Sequence, residues 1–142
     1  MNGALTIRRA REDDAPPLAA LLEQLGYPLS PAVVRSRLQT SGDWEVYLGV
    51  DGSEPIAMLI LAERDDFIDG REARIEGLVV ADGRRGTGIG AELLAFAERW
   101  ARSRGLSPIV VRSNTIRTRA HVFYERAGYS KRKSQYVLEK TL

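Results

Sequence analysis

Gly86, Gly88 and Gly90 fall within five residues. Before them an apolar run ends at Val80. After it Ile89, Leu93, Leu94, Phe96, Ala97, Trp100 and Ala101 recur at helical spacing. Gly105 stops that stretch, and Pro108-Ile109-Val110-Val111 reads as a buried strand. A strand, a long helix and a second strand make a crossover, the connection that parallel neighbours need. The chain upstream follows a different rule. Residues 5–8 and 44–50 alternate as strands, Asp51-Gly52 turns the chain, and residues 56–61 form the hairpin partner. A polar stretch over residues 63–71, turning at Asp69-Gly70, leads to a fourth strand over residues 74–80. Gly77 in that strand marks a bulge or a close backbone approach.

The helices are signalled at their ends. Asp13 or Asp14 caps a first helix with Pro16 and Pro17 in its first turn, Leu18, Leu21, Leu22 and Leu25 on one face, and Gly26 as its stop. Ser30-Pro31 opens a second helix that runs to about Gln39. Ile116, Ala120, Phe123, Tyr124 and Ala127 form a late helical stripe stopped by Gly128, and residues 135–139 read as a last short strand. The order β-α-α-β-β-β-α-β-α-β predicts an α/β (α+β mixed) fold. Residues 1–142 form a single domain around a mixed, largely antiparallel sheet of six to seven strands, with helices on both faces. The 142 residues are 44% hydrophobic, which suits one core.

Composition excludes several functions. Cys is absent, so disulfide scaffolds and thiolate chemistry are out, and a single His leaves no metal site expected. No apolar run is long enough for a membrane span. Arg8, Arg9, Arg11, Glu12, Asp13 and Asp14 stand where a leader peptide needs an apolar stretch, so a cytoplasmic protein without membrane partners is expected. A net charge of +2 makes no case for nucleic acid, and Lys131-Arg132-Lys133 with Ser134 reads as a solvated turn. The distribution is more telling: residues 1–81 carry −6 and residues 82–142 carry +8. Two unlike ligands would suit such a split.

The segment Val79-Val80-Ala81-Asp82-Gly83-Arg84-Arg85-Gly86-Thr87-Gly88-Ile89-Gly90-Ala91 delivers the chain to a helix N-terminus. The first N–H groups of a helix have no partner within it, and its dipole is positive there. Glycines let an anion approach the backbone, and Arg84 and Arg85 add charge: this is a phosphate cradle. Ile89 after Gly88 rules out a P-loop, which needs Lys there. Gly86, Gly88 and Ala91 meet a dinucleotide pattern formally. Four strands precede them, however, and Val110, Val111 and Arg112 occupy the place of the ribose-binding acid.

Arg85-x-x-Gly88-x-Gly90, after an apolar strand and before an amphipathic helix, resembles the acyl-CoA loop of the GNAT family of N-acetyltransferases. Ser113-Asn114 and then Ala120-His121-Val122-Phe123-Tyr124-Glu125-Arg126-Ala127-Gly128-Tyr129 resemble that family's late helix. Two motifs in the right order, about 30 residues apart, are more specific than either alone. The close resemblance covers residues 72–129.

The resemblance implies transfer of an acetyl group from acetyl-CoA to a primary amine, by direct attack in a ternary complex. It assigns the pyrophosphate to the loop containing Arg84, Arg85, Gly86, Thr87, Gly88, Ile89 and Gly90. It assigns the pantetheine arm to the splayed edge Leu78-Val79-Val80, with a bulge near Gly77 aiming an N–H at the thioester oxygen. Tyr124 matches the tyrosine that protonates the departing thiolate, or it belongs to the apolar stripe with Phe123. Asn114 binds the pantetheine arm or caps the following helix. Glu76 is the candidate base, set against an exposed carboxylate paired with Arg74 or Arg64; water alone is the alternative. A glutamate used by some members before the Asn is replaced here by Val110 and Val111. His121 takes no catalytic part in this reading. The acidic residues Glu45, Glu63, Asp65, Asp66, Asp69 and Glu72 suggest a cationic small-molecule acceptor, or form a solvated hairpin tip. A peptide amine acceptor and a non-catalytic acyl-CoA-binding module are the other readings. Dimers are common in the family, so a homodimer is a further expectation.

Overall fold

The computed structural model describes residues 5–40 and 42–142. Contacts divide the chain into two units, residues 1–111 and residues 112–142. In the first, β1 (Leu5–Arg9) leads through a short 3-10 turn (Glu12–Asp14) to α1 (Ala15–Leu25) and α2 (Pro31–Gln39). Then come β2 (Trp44–Asp51), β3 (Glu54–Asp66), β4 (Gly70–Val80), α3 (Ile89–Ser103) and β5 (Ile109–Val111). The strands lie in the order β1-β2-β3-β4-β5. The first four are antiparallel, and β5 joins β4 in parallel through the α3 crossover, as the sequence requires.

Helix ends follow the signals. Ser30 Oγ accepts from Val33 N–H at 3.2 Å, and Gly26 closes α1 at φ 102°. Asp14 does precede α1, but its side chain makes no cap bond. Its two oxygens instead take the Arg8 guanidinium at 2.8 and 3.0 Å, and one accepts the Arg11 N–H at 2.7 Å. A charged partner outcompetes a neutral helix N–H.

The core of this unit is layered. Leu18 and Leu21 of α1 and Val34 of α2 are buried against Leu48, Val50, Met58 and Val79 on one sheet face. Strand alternation turns Tyr47 and Leu59 to the opposite face, where the Tyr47 ring meets Phe96 of α3 edge-on at 4.9 Å.

The expected strand count needs correction. The described residues contain five strands, not six to seven. Residues 135–139 form no strand; Tyr136, Val137 and Leu138 are at least 90% exposed. A strand needs a partner edge, and nothing pairs with this one. The polar stretch 63–71 carries the β3–β4 hairpin, with its turn at residues 67–69. It lengthens β3 to 13 residues and starts β4, because Arg71 and Glu63 pair across the hairpin. The second unit holds α4 (Thr118–Arg126), closed by Gly128 at φ 97°. No described helix is long and apolar enough to cross a membrane.

Candidate active site

The glycine-rich turn is built on left-handed backbone. Gly83, Gly86 and Gly88 take φ of 84°, 81° and 85°, where a side chain is strained, and a Cβ at any of them would meet nothing within 4 Å. The space over the turn is therefore open. Gly88 is the N-cap of α3 and can offer no side chain to the first helical N–H groups. The turn is held from behind: Asp82 N–H donates to Gln24 Oε1 at 2.8 Å, and Thr87 Oγ1 donates to the Arg84 carbonyl at 2.7 Å. A glycine-rich turn at a helix start is backbone of the kind that suits a diphosphate.

The two arginines part company. Arg84 reaches back to the β2–β3 hairpin, 2.9 Å from Asp51 Oδ2 and paired also with Glu54. Arg85 donates from Nε to the Val80 carbonyl at 3.3 Å and pairs with Asp82 at 3.1 Å, with its side chain 51% exposed. Arg85 keeps the more exposed guanidinium of the two.

β4 is bulged where the sequence anticipated it. Gly77 lies opposite Ile60 and Ile75 opposite Leu61, so Glu76 is the extra residue. β5 pairs only with Ala73, Arg74 and Ile75. Beyond the bulge, the edge carrying Leu78, Val79 and Val80 runs on without it, which leaves backbone groups for an extended ligand. Glu76 Oε1 lies 2.6 Å from Arg64 Nη2, and Arg64 also reaches Asp43 at 3.2 Å. The pairing with Arg64 that the sequence weighed against a catalytic role is thus present.

In the second unit the Tyr124 ring packs edge-on with Phe123 and Tyr129, with centroids 5.1 and 5.6 Å away. Burial pushes its phenol up to about 12, against a smaller opposing pull from Arg117. It therefore stays a proton donor at neutral pH. Asn114 Oδ1 accepts from Ile116 N–H at 3.2 Å and its carbonyl from Arg117 N–H at 3.0 Å, while His121 Nε2 lies 3.0 Å from that carbonyl. Its side-chain oxygen organises the turn before α4, near to the capping alternative, although Arg117 is the N-cap.

The acidic front half is largely neutralised within the fold. Glu45 is ringed by Tyr47 at 2.6 Å, Arg104 at 2.8 Å and Arg9 at 3.1 Å. Buried Glu72 takes two bonds from Arg74, at 2.7 and 3.0 Å, and Glu63 takes Arg71. Asp66, Asp69 and Glu72 bring carboxylate oxygens within 4.8 Å of one another. Asp66 Oδ1, however, accepts the turn N–H groups of Ile68 and Asp69, and Arg74 lies against both Asp66 and Glu72. Single-sequence charge counting had no means of seeing these arginine partners, several of them far along the chain.

A mixed sheet with a bulged fourth strand and a glycine turn at the start of the crossover helix is the architecture on which the comparisons with known proteins converge. The profile of the acetyltransferase (GNAT) family matches residues 10–129, and the chain belongs to that family. Its sequence is 46% identical over 55 residues to an aminoalkylphosphonate N-acetyltransferase of Salmonella typhimurium, covering 39% of this chain and 36% of that one. The match thus spans about a third of that relative. Among solved structures, the CoA complex of aminoglycoside N-acetyltransferase AAC(6')-Iy superposes with a TM-score of 0.86 at 15% identity, covering 100% of this chain and 98% of that one. Aminoglycoside 6'-N-acetyltransferase AAC(6')-Ih from Acinetobacter baumannii gives 0.82 at 20% identity, covering 98% and 99%. At these identities the likeness concerns the fold.

Proposed function

We propose that this chain moves an acetyl group from acetyl-CoA to the primary amine of a small molecule, by direct attack within a ternary complex. The carrying observation is the turn itself: three left-handed glycines with open space above them, at the start of a helix whose N-cap has no side chain. A closed or side-chain-capped turn would have argued for a plain loop. The likeness to aminoalkylphosphonate and aminoglycoside N-acetyltransferases supports a small-molecule amine.

In this reading the N–H groups of Arg85, Gly86, Thr87, Gly88, Ile89 and Gly90 hold the diphosphate, with Arg85 adding charge. Leu78, Val79 and Val80 offer backbone groups to the pantetheine arm. Acetyl-CoA supplies an activated thioester. The bulge at Glu76 turns an N–H toward the carbonyl oxygen, where negative charge grows as the amine attacks. An ammonium with an ordinary pKa of about 10.4 is neutral in only about one molecule in 2,500 at pH 7. Glu76 takes its proton, directly or through water, in competition with Arg64. Tyr124 donates a proton to the departing sulfur, and Asn114 orders the turn before its helix. Metal takes no part in this scheme, and cytoplasmic chemistry suits the cysteine-free composition. The acceptor's charge stays open, because the acids that suggested a cation are mostly paired with arginine.

The test is calorimetry with acetyl-CoA, followed by thiol release with a panel of cationic, zwitterionic and peptide amines. Binding and turnover on small amines are expected. Turnover only on peptides would move the acceptor to proteins, and binding without turnover on any amine would leave an acyl-CoA-binding module.

A further inference from the structure

By register Arg64 stands opposite Glu72, yet its guanidinium runs along the hairpin, past the Ala62–Arg74 pair, to meet Glu76. Glu72 is left to Arg74, whose side chain is almost buried. The Arg64 side chain stays 38% exposed, while its Nε is buried without a hydrogen-bond partner. A guanidinium placed for stability alone has its buried donors met. This one leaves a donor orphaned and holds Nη1 and Nη2 near the surface beside the candidate base. Its two partners there are unequal. Glu76 lies 2.6 Å from Nη2, whereas Asp43 lies 3.2 Å from Nη1 and is 69% exposed. A carboxylate so open to water adds little to the pair and gives way to another anion at small cost.

We infer that the acceptor is a zwitterion, with its amine at Glu76 and a carboxylate or phosphonate on Arg64 in place of Asp43. The inference rests on the reading of Glu76 as the base and adds the group that selects the substrate. Charges then alternate around a closed circuit: ammonium, Glu76, Arg64, anion, and back through the ligand's own spacer. Nη1 and Nη2 belong to one guanidinium and each contact is about 3 Å long, so a spacer of roughly one to three carbons closes it. A second ammonium in place of the anion would face the guanidinium and be repelled. An uncharged tail would leave Asp43 where it is. Carboxylate and phosphonate oxygens both match the guanidinium fork. Arg64 acts in recognition; the bonds made and broken are those of the acetyl transfer already described.

The test compares kcat/KM for β-alanine and aminoethylphosphonate with those for aminopropanol and diaminopropane, amines of similar reach. The better anionic amine is expected to exceed both others by about tenfold or more. Arg64→Gln should bring that ratio to within about twofold through a rise in KM, and Arg64→Lys should keep part of the preference. An Arg64 that only steadied Glu76 would lower kcat on all the amines alike and leave the ratio standing, which would overturn the inference. Asp43→Asn, at an exposed position, should raise the ratio by about threefold by removing the competing anion. A ratio unchanged or lower in that variant would overturn it too. Aminopropanol or diaminopropane used by the parent chain as well as the anionic amines would do the same while leaving acetyl transfer intact. Acetyl-CoA binding without turnover on any of these amines would bring down the acyl-transfer reading and this assignment together.

Discussion

Arg64 grips Glu76 from the neighbouring strand, its Nη2 2.6 Å from the carboxylate Oε1, at the one residue of β4 that has no opposite number on β3. The contact puts a cation beside the proposed proton acceptor and fixes its rotamer. Glu76→Gln keeps the shape and removes the acceptor. Its kcat is expected to fall by about 100-fold or more near neutral pH, with acetyl-CoA affinity unchanged and the loss shrinking as pH approaches about 10, where the amine is already largely neutral. An unchanged pH profile of kcat in Glu76→Gln would hand the proton to water.

Tyr124 should matter to chemistry rather than to binding. Its phenol, pushed up to about 12 by burial, remains protonated well past neutral pH. Tyr124→Phe is expected to slow thiol release by about 10- to 100-fold while the ring contacts with Phe123 and Tyr129 persist. The raised value also sets a stability window. The folded state holds its proton more tightly than an unfolded tyrosine near 10, so this contribution is full below pH 10 and is lost as pH rises toward 12. A rate within twofold of the parent would return Tyr124 to the apolar stripe.

Gly88→Ala tests the turn. The φ of 85° makes a Cβ cost about 1–2 kcal/mol, yet that atom would touch nothing in the unliganded chain. The variant should fold with a modestly lower Tm and lose the rise in Tm that acetyl-CoA gives the parent. Retention of the full rise would mean that the ligand does not approach the turn.

The two neighbouring arginines should separate cleanly. Arg85→Ala is expected to weaken acetyl-CoA binding by about tenfold, the scale of one charge-assisted contact. Arg84→Ala should leave affinity within threefold or so, because its guanidinium is already occupied by Asp51 and Glu54. Titration calorimetry of both variants decides this, and equal losses would contradict the assignment.

Asp14 makes a structural prediction. The Arg8 guanidinium, with the Arg11 N–H, holds its carboxyl below the usual range against the opposing effect of burial. The folded value lies below the unfolded one, so the contribution is present above about pH 4 and disappears as pH falls through the folded value. Asp14→Ala should destabilise by about 2 kcal/mol at pH 7 and by less in acid, measured by urea unfolding.

Local rules made much of this molecule legible. Ser30, Gly26, the strand alternation and the glycine turn each declared an element from within a few residues of itself. The bulge was legible from a glycine in a strand. What escaped was set by partners far along the chain. Arg84 reads as part of the cradle, and its ion pairs with Asp51 and Glu54, 33 and 30 positions away, lie beyond any local pattern. Asp14 looked like a cap until Arg8 took both its oxygens. Residues 135–139 have strand character, but pattern alone cannot say whether an edge is there to receive them.

The extra residue in β4 also reverses the phase of the strand. Opposite Leu61 stands Ile75, yet opposite Leu59, on the same side of β3, stands Leu78. Odd positions look one way before Glu76 and even positions look that way after it. A saturation scan of tolerated substitutions should therefore show its every-other-residue rhythm skip a beat at this point. Deleting Glu76 would restore a single rhythm while residues 70–75 keep their partners and their faces, because Ile75 and Gly77 already stand opposite the adjacent residues Leu61 and Ile60.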